Sequence, residues 1–394
     1  MKVNIVHPNL NICGGGERLS IAVMEAVKAI GDQFDITTFE WPNLCQISAS
    51  FGKLAAETVM STSKINIMES ALDCHLVNKE YKSKCKYDLT INTHSDSVPY
   101  YCDYFSKNNC ISYCHFPTAK DHIDIQNLDF LKETRLLKKQ IKEKSASRQK
   151  WSNSKLFQLL NESYDKLIRN STLITNSEFS KKIIFEKLGI NAQVLYPPVD
   201  IDRFRKRALL SKTRQDTVLV LCRIVPYKNI ESAIGIAKIL KDNDICKKMK
   251  IIGNLHDYDY VRRDYYAQLT EMRNSNGLQG FVVFDINAHH ESVIESMHSA
   301  KAYLHTMPGE PFGISTVEAM SAGLVPAVPD LGGHTEFVPQ RYQYDTAYRA
   351  ADIISSAMKA SNSERMKLSN SVRRFSTSNY IQSFIDIINN VTIV

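Results

Sequence analysis

The feature that most constrains this chain is an alternation that runs, stops and starts again. Short β-like runs (VNIVHP, FDITTF, YDLTINT, NCISYCHF and STLITNS) are separated by stretches with helical spacing, such as LSIAVMEAVKAIG and SEFSKKIIFEKLG. Runs that short, bounded by turn residues and followed by helical patterns, specify a doubly wound and mostly parallel α/β sheet. Asn176-Ser177-Glu178 offers N-cap chemistry to the last of these helices. The pattern breaks at QVLYPPVDIDRF, because Pro197-Pro198 fits neither a central strand nor a helix interior. Residues 205–215 are polar and basic, and then the alternation resumes with TVLVLCRI, NIESAIGIAKILK, MKIIGN, GFVVFD, ESVIESMHSA, KAYLHTM, STVEAMSAG and LVPAVP. Two Rossmann-like lobes are therefore expected, over residues 1–200 and 208–370. An amphipathic helix within 371–394 would return toward the first lobe. A length of 394 residues suits two cores of roughly 150–200 each. Two such lobes should face each other across a cleft, a preferred place for ligands.

Composition matters here mainly for what it excludes. With 43% hydrophobic and 23% charged residues the chain is globular rather than disordered. No run approaches the ~18 apolar residues of a membrane-spanning helix, and VNIVHP reads as a strand, not a leader. The nine cysteines are scattered and odd in number, which suggests reduced thiols in a cytoplasmic protein. The net charge is +7, and residues 132–155 alone hold nine Lys and Arg against Glu133 and Glu143. Leu131, Leu136, Leu137, Ile141 and Trp151 are interspersed among them. The segment reads either as a contact with an anionic membrane surface, at the cytoplasmic face, or as a solvated helix with a basic outer side. No nucleic-acid signature accompanies the charge, so no nucleic acid partner is expected.

Four motifs carry chemistry. In PGEPFGISTVEAMSAG, Glu310 and Glu318 stand eight positions apart. If the stretch after Glu310 were helical the rise would be about 12 Å, too wide for glycosidase carboxylates at about 5 Å or about 6.5–9.5 Å. The pair instead suits two contacts along one elongated ligand, with Glu318 two turns into the helix. Between them Phe312, Gly313 and Ile314 form a helix start whose N–H groups can meet an anion. RIVPYKN follows a strand and sets Arg223 and Lys228 where they can hold phosphate oxygens. CGGGER brings Gly15 and Gly16 after the first strand, where glycine backbone can approach a ligand closely; it is neither a dinucleotide fingerprint nor a P-loop. SYCHFPT ends a strand on His115, which can bond a sugar hydroxyl. Cys110, Cys114 and His115 do not read as a metal site, because neighbouring strand residues face opposite ways. Asp257-Tyr258-Asp259 reads as a chance triplet. No metal and no cofactor are expected.

Taken together these motifs resemble a known family. EPFGISTVEAMSAG is similar to the E-x7-E signature of retaining, two-lobed GT-B glycosyltransferases (glycosyl transferases group 1, the glycogen-synthase and sucrose-synthase relatives), and RIVPYKN is similar to their R-x4-K donor-phosphate motif. CGGGER, SYCHFPT and WSNSKLFQLLNESYDKLIRNSTLITNS look most like the branch that adds α-1,2-mannose from GDP-mannose to dolichol-diphosphate-linked oligosaccharides. The eukaryotic members of that branch carry an N-terminal anchor that is lacking here, and Tyr-Pro follows their histidine where this chain has Phe116-Pro117. The resemblance implies a nucleotide-sugar donor as co-substrate and a glycan or lipid-linked acceptor. It implies that Glu310 binds the sugar hydroxyls, Glu318 the ribose, and Arg223 and Lys228 the diphosphate. His115 would lie near the transferred sugar and Gly15-Gly16 near the acceptor. Residues 284–290 are expected near the base. A UDP-sugar-dependent transferase, a nucleotide-sugar epimerase and a non-catalytic nucleotide-sugar-binding protein are the competing readings.

Overall fold

The structure is a computed structural model that describes residues 1–67, 87–94, 109–127, 157–158, 160–162, 164, 168–208, 214–255 and 260–392. The basic segment 132–155 and the Asp257–Asp259 triplet lie outside the described residues. The chain divides into two compact units, Met1–Pro198 with Ser378–Val394, and Val199–Thr377.

The first unit is built on a seven-stranded sheet in the order β3-β2-β1-β4-β5-β6-β7. Its strands are β1 Lys2–Val6, β2 Gln33–Thr38, β3 Lys64–Ile67, β4 Leu89–Asn92, β5 Cys110–Cys114, β6 Thr172–Thr175 and β7 Gln193–Val194. Every pairing is parallel. Parallel strands buried on both faces need apolar residues throughout, and Val3, Ile5, Ile36, Ile91, Ile111 and Ile174 supply them. The helix Gly15–Ala29 buries Leu19, Val23 and Met24 against this core. Tyr380, Phe384 and Ile388 of the C-terminal helix Thr377–Thr392 join the same cluster. The helix Glu178–Leu188 starts at Ser177, whose hydroxyl accepts the Ser180 N–H at 2.9 Å, and stops at Gly189 in the left-handed region.

The second unit holds a six-stranded parallel sheet in the order β10-β9-β8-β11-β12-β13. These are β8 Gln215–Leu221, β9 Lys248–Gly253, β10 Val282–Ile286, β11 Ala300–Leu304, β12 Val325–Pro329 and β13 Gln343–Tyr344. The helix Ile230–Asp242 buries Ile230, Ala233, Ile234 and Ala237, the spacing of one helical face. Both sheets therefore have the Rossmann strand order, which reverses direction between β1 and β4 and between β8 and β11.

Several elements differ from the sequence expectation. Residues 201–208 are the helix Ile201–Ala208 rather than part of an irregular connection. The helices Leu44–Phe51, Lys53–Met60, Tyr260–Ser275, Ala347–Met358 and Asn362–Ser371 are additional, as are edge strands β3, β7 and β13. Cys13, Cys45, Cys114, Cys222 and Cys246 are free thiols, but Cys110 is disulfide-bonded, so the expectation of wholly reduced cysteines fails there. No helix among the described residues is long and apolar enough to cross a membrane.

Candidate active site

In the second unit the chemistry gathers at the carboxyl ends of β8 and β11, on either side of the point where strand order reverses. In open α/β sheets that is where ligands bind. Arg223 follows β8, and the turn Pro226–Lys228 then carries Lys228 back over the sheet edge. Asn229, left-handed at φ 52, ends that turn, and its side-chain amide donates to the Thr306 carbonyl at 3.2 Å. The Thr306 hydroxyl donates to the Lys228 carbonyl at 2.8 Å. Two segments far apart in sequence are thus tied together, and Lys228 Nζ meets Glu310 Oε2 at 2.5 Å.

Glu310 does not continue a helix. It forms an isolated parallel bridge with Gly332, and its carbonyl accepts the Gly333 N–H at 2.7 Å. A Cβ at Gly332 would sit 2.8 Å from the Glu310 carbonyl oxygen, and one at Gly333 would sit 2.1 Å from that of Pro311. Only glycines permit this approach. His305 Nε2 stands 3.2 Å from the same Glu310 oxygen. Burial alone would raise the Glu310 carboxyl, but His305 and the Lys228 charge outweigh it and hold the group well below the usual carboxylate range. Behind His305, His334 Nε2 donates to the Pro329 carbonyl at 2.7 Å. Burial, followed by the nearby His305 charge, pushes His334 down to about 4. Its ring is therefore neutral at physiological pH.

The helix expected after Pro-Phe-Gly begins at Ile314 and runs to Ser321. Gly313 is its N-cap at φ 98, and no side chain caps it. The Ile314 and Ser315 N–H groups belong to the first turn and have no partner within the helix. Because the helix starts four residues after Glu310, the separation of the two glutamates is not a helical rise. Glu318, half-buried, lies little more than one turn in rather than two. The Phe312 ring is buried against Phe337 and Phe375, with centroids 5.2 Å from each, which leaves its backbone for a ligand. Arg223 is exposed, with its guanidinium 5.6 Å from the Tyr227 ring centroid. In the region expected near the base, the Phe284 ring packs edge-on to Tyr266 and Asp285 pairs with Lys250 at 2.7 Å.

The first unit repeats the theme at its own reversal point. His7 follows β1, Thr93 and His94 follow β4, and His115 follows β5. Gly15 and Gly16 are the first two residues of the helix Gly15–Ala29, not a loop as the triple glycine suggests. The His7, His94 and His115 rings all lie 3.8 Å from where a Cβ on Gly16 would be. His7 Nε2 is 3.0 Å from the buried Glu17 carboxylate, whose other oxygen accepts the Gly14 N–H at 2.6 Å. Among the described residues no group of three or more His, Cys, Asp or Glu is placed to hold a metal ion. The sequence reading missed His305, His334, Gly332, Gly333, His7 and Glu17. The Gly-Gly pair following LVPAVP was the visible signal for the second-unit closure.

Residues 201–374 match the family model "Glycosyl transferases group 1". The second unit is a glycosyl transferases group 1 domain. The chain is 25% identical over 250 residues to the GDP-Man:Man(3)GlcNAc(2)-PP-Dol alpha-1,2-mannosyltransferase of Dictyostelium discoideum, covering 59% of this chain and 48% of that protein. It is 24% identical to the Homo sapiens protein of the same name over 98% of this chain and 86% of that one. The chain spans about half the length of the Dictyostelium relative. Among solved structures, Anabaena Alr3699/HepE in complex with UDP matches 99% of this chain and 100% of its own with a TM-score of 0.66 at 16% identity. The fold is GT-B.

Proposed function

We propose that this protein is a retaining hexosyltransferase that moves mannose from GDP-mannose to a glycan or lipid-linked oligosaccharide. The observation that carries the reading is the Lys228–Glu310 contact of 2.5 Å beside an uncapped helix start in a group 1 domain. A donor's diphosphate would take the Ile314 N–H, the Gly313 backbone, Arg223 and Lys228. Its leaving charge would be stabilised by those fixed donors and cations. Glu310 would accept from the sugar hydroxyls and Glu318 from the ribose. His115 is assigned to a hydroxyl of the transferred sugar, and Gly15 and Gly16 to the acceptor.

Glu310 makes a poor nucleophile in this setting. Lys228 and His305 both crowd its Oε2, and its strong acidity lowers its basicity toward carbon. Retention then proceeds on one face, with the departing diphosphate taking the acceptor's proton while the protein supplies position and charge. The relatives' names support GDP-mannose as donor.

A thermal-shift comparison of GDP-, UDP- and ADP-sugars tests the reading, because a ligand held by the folded state raises its melting temperature. GDP-mannose should give the largest rise, and an α-linked mannosyl product should follow when a lipid-linked oligosaccharide is added, also in excess EDTA. No rise with any nucleotide-sugar would overturn it.

A further inference from the structure

The first unit holds a buried chain of hydrogen bonds that leads from Glu17 toward His115. Glu17 is 5% exposed and His7 is 1% exposed. A carboxylate can only accept, so the hydrogen in the 3.0 Å contact rests on His7 Nε2. Burial would raise the Glu17 carboxyl, but His7 chiefly, then His94 and the Gly14 N–H, hold it at about 2. His7 Nδ1 lies 2.9 Å from the Thr93 hydroxyl. That hydroxyl and the Thr93 N–H also reach the Val6 carbonyl, at 2.9 and 3.0 Å. Thr93 is thus held from two sides, and its own carbonyl lies 3.2 Å from His115 Nε2. A carbonyl accepts, so His115 bears its hydrogen on Nε2.

We propose that Glu17 is a positioning residue for His115: acting through His7 and Thr93, it holds the ring in place with Nε2 as the proton-bearing nitrogen. This inference rests on the assignment of His115 to the transferred sugar. Among the described residues, titratable groups facing His115 include His94 beyond β4 and Tyr113 within β5, with ring centroids at 5.4 and 4.9 Å, and His7 lies beyond His94 at 5.8 Å. Among the described residues of this group, Glu17 is the acidic member. A neutral amide at position 17 cannot accept from both His7 and Gly14, since one of its two ends is a donor.

The test compares full-length Glu17→Gln, Glu17→Asp, Thr93→Ser and His115→Ala. Glu17→Gln should lower kcat by about 10²-fold, the order of loss expected when a reacting group is misplaced by about 1 Å. It should leave the nucleotide Kd within about twofold and move the kcat–pH profile. Glu17→Asp should recover part of the rate, and Thr93→Ser, which keeps the hydroxyl and the carbonyl, should recover most of it. An unchanged rate and pH profile in Glu17→Gln, while His115→Ala is inactive, overturns the positioning role and leaves the functional reading intact. Full activity of His115→Ala overturns the assignment of His115 instead. If Glu17→Gln does not fold, histidine ring ¹⁵N spectra of the unaltered protein decide, with the His115 signals assigned by their loss in His115→Ala. The Nε2–H tautomer is expected there, and the Nδ1–H tautomer refutes the proposal.

Discussion

Replacing Lys228 with methionine removes one charge and keeps most of the packing volume. Lys228 and Glu310 are each 14% exposed on their side chains, and the contact is 2.5 Å. Two unit charges about 4 Å apart interact by about 4 kcal/mol at an effective dielectric near 20, and breaking a buried pair from one side costs about 3–5 kcal/mol. His305 remains beside Glu310 and a little solvent reaches the pair, so roughly 3 kcal/mol is the expected loss at neutral pH. For a unit of this size that corresponds to a fall in melting temperature of roughly 6–12 °C. The sign of the pH dependence follows from the depressed Glu310 carboxyl. Such a group contributes stability above its unfolded value of about 4.3, and that stability is lost as pH falls through the lower folded value. The gap between the unaltered protein and Lys228→Met should therefore be constant from pH 8 to about 5 and narrow below about 4.3. Urea denaturation of Lys228→Met, Glu310→Gln and the double variant measures the coupling. Glu310→Gln should restore most of the stability lost in Lys228→Met. Additivity within about 0.5 kcal/mol would refute the reasoning.

Arg223→Ala should lower kcat by about 10²–10³-fold through loss of charge at the leaving group, and its melting temperature should not change, because the side chain is exposed; a normal rate would remove it from the site. His334, pushed down to about 4, contributes stability that is full above about pH 6.5 and lost as pH falls toward its folded value. In His334→Gln the denaturation midpoint should vary less across that interval, and an unchanged curve would refute this. Arg365 is 5% exposed and donates to the carbonyls of Lys301, Gly323 and Ala357 at 2.6, 3.0 and 2.7 Å. Arg365→Met should therefore cost about 3 kcal/mol in urea melts by orphaning them, with the nucleotide Kd of the folded protein unchanged. The segment 132–155 should bind phosphatidylserine vesicles, and binding should weaken as salt rises from 0.1 to about 0.5 M; binding that ignores salt would exclude the electrostatic contact.

The two sheets were legible because strands buried on both faces leave runs such as TVLVLC and LITNS, and the helices between them leave one apolar face. The edge strands β3, β7 and β13 escaped notice because they are two to four residues long and bordered by polar positions such as Lys64 and Gln193. Short local signals served the helix at Ile314 well, since Gly313 marks its cap. They misled at Glu318, where the eight-residue spacing suggests a helical rise although the helix begins only at Ile314. The pairing of Lys228 with Glu310 spans 82 residues, and no local pattern records such a distance. His305 and His334 were invisible for the same reason. Each is an unremarkable histidine until β11 and β12 lie side by side.

The charge arrangement of the second unit bears on how a donor would enter. Lys228 is already satisfied by Glu310, so an arriving diphosphate competes for it rather than meeting an idle cation. That competition would cost more if Glu310 had no other partner. His305 stands at 3.2 Å from the same oxygen, so Glu310 keeps a second partner when Lys228 turns toward phosphate. Glu310 therefore stays ionised while Lys228 turns part of its charge to phosphate, and an ionised carboxylate is the form that accepts from sugar hydroxyls. The closure of Gly332 and Gly333 onto Glu310 fixes the backbone through this exchange, because a Cβ at either position would meet carbonyl oxygen at 2.8 Å or less. The exchange therefore needs only side-chain adjustment at Lys228, beside the first turn at Ile314 whose N–H groups share the load.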